Sequence, residues 1–235
     1  MVARWIYWRN QTSSHAWRLV AGEKQHMLAG VILAGGKSSR MGTDKSLLTL
    51  PDSHQTLLTH CKTELSVLCG GNLVVSGAQH KNGIADLIPY CGPLSGIHAA
   101  ISHLLQNKKH ISELLVVAVD MPDVGFKEYE GLLNSGRETN KLTVYENCFL
   151  PLYIPNINDV ANYVSSVFES SANQSQNLVN KPAKQLSKQS QYSIKRMLSI
   201  LQSNQIQGLE NIRLNNINTP TQWQQHCKEQ PIYKV

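Results

Sequence analysis

The segment from Leu28 to Lys45, LAGVILAGGKSSRMGTDK, constrains the fold of this chain more than any other part. It begins with a continuous apolar run, residues 31–34, of the kind that forms a strand buried on both faces of a sheet. The run ends at Gly35–Gly36, and a loop with three cations follows. Glycines let the backbone approach a ligand closely, and neighbouring cations neutralise phosphate charge. Because open α/β sheets hold nucleotides at the carboxyl ends of their strands, this order predicts a nucleotide site.

Two other phosphate-binding motifs do not fit this segment. The P-loop pattern G-x-x-x-x-G-K-[ST] matches residues 36–38 but requires a glycine at position 31, which is Val31. No G-x-G-x-x-G sequence follows a predicted strand. The sequence therefore disfavours a P-loop kinase or NTPase and gives little support to a dinucleotide-binding Rossmann protein.

Strand-like and helix-like patterns alternate through the first half of the chain. The predicted elements are a helix over residues 56–69, a strand over 73–75, a brief strand or loop over 84–86, a helix opened by Gly92–Gly96 and a strand over 114–119. This alternation predicts a single α/β domain: a Rossmann-like three-layer sandwich with helices on both faces of a mostly parallel sheet.

The second half gives weaker patterns. We predict strands over 142–145 and 149–154, helices over 160–168 and 193–201, and a last strand over 211–214. Residues 171–191 are rich in Gln, Asn, Ser and Lys, which is typical of a mobile loop. We expect residues 1–26 to be a disordered tail or a non-native extension, because Met27 stands directly before the first strand. The domain would then span 27–235.

Composition narrows the class of protein. The chain is 41% hydrophobic and 16% charged, and its formal charge of +6 suits polyanionic small molecules without requiring nucleic acid. No apolar run is long enough to cross a membrane. The five cysteines are scattered and show no CxxC or zinc-site spacing, so they are interpreted as thiols of a cytoplasmic protein.

Carboxylates follow the predicted strands. Asp120 ends the 114–119 strand, where it is well placed to hold Mg²⁺ against a triphosphate. Asp123 fits an accessory site residue or a helix cap equally well. Asp86 precedes the turn Gly92–Gly96, whose backbone could bind an anion or a base edge.

The first loop resembles the signature LAGGxSxRMGxDK of nucleotidyltransferases with a GT-A-type fold, and in particular the molybdenum cofactor guanylyltransferases, often called MobA. The matching residues are Leu33, Ala34, Gly35, Gly36, Ser38, Arg40, Met41, Gly42, Asp44 and Lys45. The sequence NINTP at 216–220 also matches a segment near that family's C-terminus. The resemblance covers about residues 28–225.

The resemblance implies a role for each matching residue. Arg40, Lys45 and Asp120 would be catalytic, with Asp120 holding Mg²⁺. The nucleotide-binding set would be Leu33, Ala34, Gly35, Gly36, Lys45, Ser76, Asp86, Gly92 and Asp120. Asp86 would accept hydrogen bonds from guanine, while Ser76 stands where many relatives carry asparagine. Asn216 and Asn218 would contact the pterin substrate.

The activity implied is transfer of GMP from GTP to molybdenum-bound molybdopterin, with release of pyrophosphate. Molybdoenzymes, their chaperones and other cofactor-synthesis proteins are the implied partners, with no nucleic acid and no membrane. A CTP-dependent relative, a sugar-1-phosphate nucleotidyltransferase and a non-catalytic adaptor with a degenerate site remain alternatives. Leu-Ala-Gly-Gly at 33–36 favours GTP, and retention of Lys45 and Asp120 disfavours the adaptor.

Overall fold

A six-stranded sheet organises the chain, in the order β2-β1-β3-β5-β4-β6. The computed structural model describes residues 27–36, 40–88, 91–175, 192–208 and 214–229. The strands are β1 (Met27–Leu33), β2 (Leu73–Ser76), β3 (Ile111–Ala118), β4 (Thr143–Tyr145), β5 (Leu152–Ile154) and β6 (Asn204–Ile206). β1 pairs in parallel with β2 and β3, and β4 pairs in parallel with β6. β5 runs antiparallel to its neighbours β3 and β4.

The centre of the sheet is apolar on both faces. Val31 of β1 lies beside Val116 of β3, and the next pair, Ile32 and Val117, points to the opposite face. All four side chains are at most 1% exposed. A strand between two others and between two helical layers has no solvent face, which explains the unbroken apolar run.

Helices cover both faces of the sheet. They are α1 (Leu57–Cys69), α2 (Pro93–Asn107), α3 (Phe126–Thr139), α4 (Ile157–Ser175), α5 (Ile194–Ile200) and α6 (Pro220–Glu229). The apolar positions of α2, α4 and α5 join one buried cluster, and those of α1 and α3 join the other. The predicted single-domain three-layer α/β sandwich with a mostly parallel sheet is confirmed.

Several predicted boundaries differ from the structure. Helix α3 and strand β6 are not among the predicted elements, and the last described strand is β6, whereas Leu214 of the predicted 211–214 strand lies outside regular structure. Residues 211–213 lie outside the described ranges, as do residues 1–26. Helix α4 continues to Ser175, five residues into the predicted mobile loop 171–191, because polar residues alone do not end a helix. Residues 176–191 are outside the described part.

Candidate active site

Lys45 and Asp120 meet at the carboxyl edge of the sheet. β1 and β3 are parallel neighbours, so the segments that follow them emerge on the same side. Asp120 follows β3 by two residues, and Lys45 begins a 3₁₀ turn capped by Asp44, whose Oδ1 accepts from the Ser46 N–H at 3.0 Å. Lys45 Nζ lies 2.7 Å from Asp120 Oδ2, and both side chains are 15% exposed. Their proximity matches the prediction that the two residues share one site.

The asparagines of the NINTP segment complete this group. Lys45 Nζ also donates to Asn218 Oδ1 at 2.8 Å, and Asn216 Nδ2 donates to Asp120 Oδ1 at 2.6 Å. The Ile217 N–H donates to the backbone carbonyl of Asp120 at 2.8 Å. We call Lys45, Asp120, Asn216 and Asn218 the charge cluster. Both carboxylate oxygens of Asp120 therefore have partners within the protein.

Gln222 fixes the segment that carries the two asparagines. Its Oε1 accepts from the Asn218 N–H at 2.7 Å and from the Thr219 N–H at 3.0 Å, at the start of α6. These donors precede the helix and lack intrahelical partners, so the side chain acts as a cap. The cap holds the backbone of Asn218 in place beside Lys45.

The end of β1 forms the second part of the candidate site, which is the predicted nucleotide side. The Ala34 N–H donates to the Ser76 carbonyl at 2.9 Å, and the Ala34 carbonyl accepts from Gln79 Nε2 at 3.0 Å and from His80 Nε2 at 3.2 Å. Both backbone polar groups of Ala34 thus have partners in the protein. Gly35 and Gly36 beyond it are exposed at the edge of the sheet.

Ser76 and Asp86 lie together beside this turn. Ser76 ends β2 and is 2% exposed, and its Oγ donates to Asp86 Oδ1 at a long 3.4 Å. Burial raises the pKa of Asp86, and the Ser76 hydrogen bond lowers it in part. A carboxylate here would accept from two adjacent N–H donors, a pair that guanine offers and cytosine does not.

Helix α2 packs tightly against Ser76 and Leu33. A Cβ at Gly96 would lie 2.5 Å from Ser76 Oγ and 3.0 Å from Leu33 Cδ2. Glycine at this position therefore lets the first turn of α2 approach the ends of β1 and β2. Gly92, the N-cap residue of α2, has a φ of +69° and is exposed.

A cavity of about 1120 Å³ opens beside the charge cluster. Three predicted site residues line it: Gly92, Asn216 and Asn218. Its wall also includes Asp123 and His226, with His226 Nδ1 3.5 Å from Asp123 Oδ1 and the imidazole stacked on Trp223. Asp123 therefore faces a cavity and an imidazole, as an accessory site residue would.

Arg40 is the predicted catalytic residue with the least structural support. It is exposed, and residues 37–39 before it, which include Ser38 of the signature, lie outside the described ranges. The structure brings together Leu33, Lys45, Asp120, Asn216 and Asn218 at one sheet edge, with Ser76 and Asp86 on the nucleotide side. Arg40 is not linked to the charge cluster by any hydrogen bond found in the described residues.

The donor set fits a magnesium ion held by one carboxylate. Among the described residues, no group of three or more His, Cys, Asp or Glu side chains is arranged as a metal site. Asp120 Oδ2 instead lies 2.7 Å from the ammonium of Lys45, so this carboxylate already faces a cation. Mg²⁺ commonly binds one or two carboxylates and takes its other ligands from substrate phosphates and water, so a single aspartate is sufficient.

The sequence analysis did not identify several residues that contact the candidate site. Gln79 and His80 lie on the turn after β2, and Gln222 and His226 lie in α6, at positions that no motif singled out. The glycines at 77 and 83, which bracket the turn, were the available signal for a tight loop near the nucleotide side.

All five cysteines lie in described parts of the chain and form no disulfide. Burial raises the pKa of Cys61 and Cys69 to about 12, so both remain neutral thiols. None of the described helices is both long and apolar enough to span a membrane.

Comparison with known proteins identifies the first part of the chain. The family model of the MobA-like NTP transferase domain matches residues 30–155. A molybdenum cofactor guanylyltransferase of Xanthomonas euvesicatoria is 30% identical over 210 residues, which cover 88% of this chain and 98% of that protein. A probable molybdenum cofactor guanylyltransferase of Rhodopirellula baltica is 36% identical over 123 residues, covering 48% of this chain and 57% of that relative.

Solved structures show the same architecture. Molybdopterin-guanine dinucleotide biosynthesis protein A from Archaeoglobus fulgidus superposes with a TM-score of 0.51 at 19% identity, covering 85% of this chain and 97% of that one. A cytidylyltransferase from Leptospira borgpetersenii gives a TM-score of 0.53 at 12% identity, covering 86% of this chain and 85% of that one. At such identities the likeness concerns the fold alone, and it does not discriminate between nucleotides.

Proposed function

We propose that this chain, which belongs to the MobA-like NTP transferase family, transfers GMP from GTP to molybdenum-bound molybdopterin and releases pyrophosphate. The chain is a nucleotidyltransferase by its family and by the Xanthomonas euvesicatoria relative, which it matches over 98% of that protein's length. The two relatives described above are named as a molybdenum cofactor guanylyltransferase and a probable one, and the substrates are taken from these names as part of the proposal. The alternatives are not favoured by these relatives.

The observation that carries the proposal is the charge cluster. Lys45 Nζ and Asp120 Oδ2 lie 2.7 Å apart at the carboxyl ends of β1 and β3, directly beyond the glycine turn. This edge is where α/β sheets bind nucleotides, and the cluster offers both a cation for phosphate oxygens and a carboxylate for a metal. A non-catalytic adaptor has no need for this pair.

The chemistry requires positioning and charge neutralisation rather than a protein nucleophile. The acceptor is a phosphate, which carries −1.5 to −2 charge near pH 7, so its oxygen attacks the α-phosphorus of GTP without losing a proton to the protein. Lys45 would neutralise charge that grows on the leaving pyrophosphate, and Arg40 would act on the same oxygens. Asn218 holds the Lys45 ammonium at 2.8 Å, so the cation is oriented before the substrate arrives.

Asp120 would hold Mg²⁺ in the loaded enzyme. A bound magnesium ion supplies charge neutralisation on the triphosphate. The protein's part is to present the Asp120 carboxylate at the sheet edge, with its backbone carbonyl fixed by the Ile217 N–H at 2.8 Å. Asn216, which donates to Oδ1 at 2.6 Å, would keep the carboxylate in a fixed orientation for the ion.

The nucleotide and the acceptor would enter from opposite sides of the charge cluster. The base would lie against Leu33, Gly35 and Gly36, with Ser76 and Asp86 reading its edge. The acceptor would occupy the 1120 Å³ cavity, whose wall is rich in amide side chains that suit a pterin. Asn216 and Asn218 belong to both the cavity and the cluster, so they would bring the acceptor phosphate to the α-phosphorus.

The cell compartment and the protein partners also belong to the proposal. Free thiols in all five cysteines suit a reducing compartment, and we place the enzyme in the cytoplasm. Its product would be handed to molybdoenzymes, their chaperones or other proteins of cofactor synthesis.

A nucleotide panel with product analysis tests the function. The chain is incubated with Mg²⁺, molybdenum-bound molybdopterin and each of the four NTPs in turn, and dinucleotide and pyrophosphate are quantified. We expect product with GTP and little with CTP. Equal use of CTP would contradict the guanine assignment, and pyrophosphate release with no acceptor-dependent product would contradict the proposed acceptor.

A further inference from the structure

A tight turn follows β2, and its first residue, Gly77, lies beside Gly35, which begins the segment 35–43 that we call the glycine loop. Residues 77–83 form it, closed by hydrogen bonds from the Gly77 N–H to the Ile84 carbonyl at 2.8 Å and from the Gly83 N–H to the His80 carbonyl at 2.9 Å. Gly77 has a φ of +140°, and a Cβ there would lie 3.0 Å from His80 Cδ2. The turn is thus shaped to bring the His80 ring against the backbone of its first residue.

The His80 side chain lies between the two ends of the glycine loop. It is 7% exposed, with Nε2 3.2 Å from the Ala34 carbonyl and 4.0 Å from Asp44 Oδ2. Ala34 immediately precedes Gly35–Gly36, and Asp44 caps the turn that begins with Lys45. A carbonyl only accepts hydrogen bonds, so Nε2 carries a proton in this contact. One imidazole therefore contacts the segments on both sides of residues 35–43.

We propose that His80 is a positioning residue that ties the two ends of the glycine loop together and so sets nucleotide affinity and the placement of Lys45. The nucleotide part of this inference rests on the proposed function. His80 does not touch the charge cluster itself, so it acts through Ala34 and Asp44. Gln79 also donates to the Ala34 carbonyl, which leaves the approach to Asp44 as the distinctive contribution of His80.

The positioning role of His80 depends on its Nε2 atom and not on the volume of the ring. An apolar side chain would fill the same space and preserve packing, but it would leave the Ala34 carbonyl with one donor fewer and Asp44 without its neighbour. Glutamine reaches far enough to place an N–H near the position of Nε2 without any positive charge. The pair His80→Leu and His80→Gln therefore separates volume from hydrogen bonding.

The first test measures GTP binding by calorimetry without acceptor, beside the melting temperature. We expect His80→Leu to weaken GTP binding about 10-fold, the loss that one hydrogen bond to a functional loop typically causes, and His80→Gln to recover most of it. Lys81→Ala, an exposed change on the same turn, is the matched control and should bind GTP as the unmodified chain does. Unchanged affinity in His80→Leu would overturn the proposal, as would a lower melting temperature that His80→Gln shares without rescuing affinity.

A double-mutant cycle tests the route through Asp44. If His80 acts partly through this carboxylate, then His80→Leu in the Asp44→Asn background should weaken GTP binding by less than it does alone. Additive losses would refute the coupling.

Hydrogen exchange of residues 34–48 in the unliganded protein gives a readout that needs no substrate. Faster exchange in His80→Leu than in Lys81→Ala is expected, and equal exchange would overturn the positioning role. If the unmodified chain bound no nucleotide, the proposed function would fail while exchange still decided the role of His80.

Discussion

Lys45 and Asp120 are separated by 75 positions in the sequence, yet their side chains form the shortest contact of the site's ion pairs, 2.7 Å. Each also binds an asparagine of the NINTP segment, so neither charge depends on a single partner. Each of the two side chains is 15% exposed, so the pair is partly shielded from water at the edge of the sheet. Electrostatic contacts are stronger there than in bulk water. This environment makes the two residues the sharpest targets for mutation.

Asp120→Ala and Lys45→Ala should each reduce turnover by about 100- to 1,000-fold, because losing one electrostatic contact to a developing charge costs about 2.7–4 kcal/mol of barrier. Steady-state turnover with GTP and acceptor is the measurement, and circular dichroism checks that the fold is intact. The matched controls are Asp159→Ala and Lys141→Ala, exposed residues beside the small cleft near Asn140 and Pro155. Near-normal magnesium-dependent turnover in Asp120→Ala would mean that the metal is held elsewhere.

Asp86→Asn should impair nucleotide discrimination without a loss of stability at neutral pH. Burial raises the pKa of Asp86 above its ordinary 3.8, so ionising this group costs more in the folded than in the unfolded chain. Its favourable contribution to folding is complete below pH 3.8 and is lost as pH rises through the raised folded value. The asparagine variant should therefore gain melting temperature relative to the unmodified chain between pH 3 and 7.

The second measurement on the Asp86→Asn variant compares kcat/KM for GTP with kcat/KM for ATP and CTP. Asparagine offers one acceptor oxygen where the carboxylate offers two, so the preference for guanine should shrink. A preserved preference, together with the stability change, would make Asp86 a half-buried polar residue without a part in base reading.

At the scale of elements, the sequence predicted the strands that carry apolar runs, and it missed a strand and a helix whose apolar residues are few or are interrupted by polar ones. β1 and β3 were predicted because both their faces are covered, which produces apolar runs. β6, with the sequence Asn-Gln-Ile, is an edge strand that is only partly buried, so it carries no apolar run. The buried residues of α3 recur at helical spacing, but charged residues between them dilute the pattern.

Gly96→Ala tests the contact between α2 and the end of β2. Alanine in place of a helical glycine ordinarily stabilises by about 0.4–1 kcal/mol, but here its Cβ would lie 2.5 Å from Ser76 Oγ. We expect the reverse sign, a loss of about 1–3 kcal/mol from overpacking, together with weaker GTP binding. Denaturant unfolding and calorimetry give the two quantities.

Gly136→Ala is the control for the glycine experiment. The Cβ of an alanine at this position would collide with the ring of Tyr153, on the α3 face of the sheet. Both residues are remote in sequence from the glycine loop. This variant should lose stability while its folded fraction binds GTP normally. If both glycine variants bound GTP equally well, close packing of α2 against Ser76 would be irrelevant to the nucleotide.

At the scale of the whole molecule, a chain that begins at Met27 should fold and keep its turnover. β1 begins at Met27 and pairs with β2 and β3 on its two sides, and the described core is built from residues after it. Soluble yield, melting temperature and turnover of this truncation are the measurements. Loss of soluble expression or of turnover would show that residues 1–26 contribute to the domain.

The sequence singled out the candidate residues that belong to motifs or to strand ends, and it did not single out the residues that support them. The signature placed Lys45, and strand-end position placed Asp120, because a ligand for phosphate or metal must lie where parallel strands end. The supports around them were not predictable in this way. His80 and Gln79 contact a backbone carbonyl, that of Ala34. Any side chain with an N–H of sufficient reach could donate to this carbonyl, so the residue type alone does not predict the role.

The clamp on Lys45 and Asp120 comes from Asn216 and Asn218, about sixty residues beyond the end of the family match at residue 155. During translation, the strands β1 to β5 and the glycine loop emerge well before these asparagines do. Lys45 and Asp120 are therefore synthesised before the two asparagines that contact them. A chain cut before Asn216 would lack both contacts to this pair, so we expect it to show no turnover.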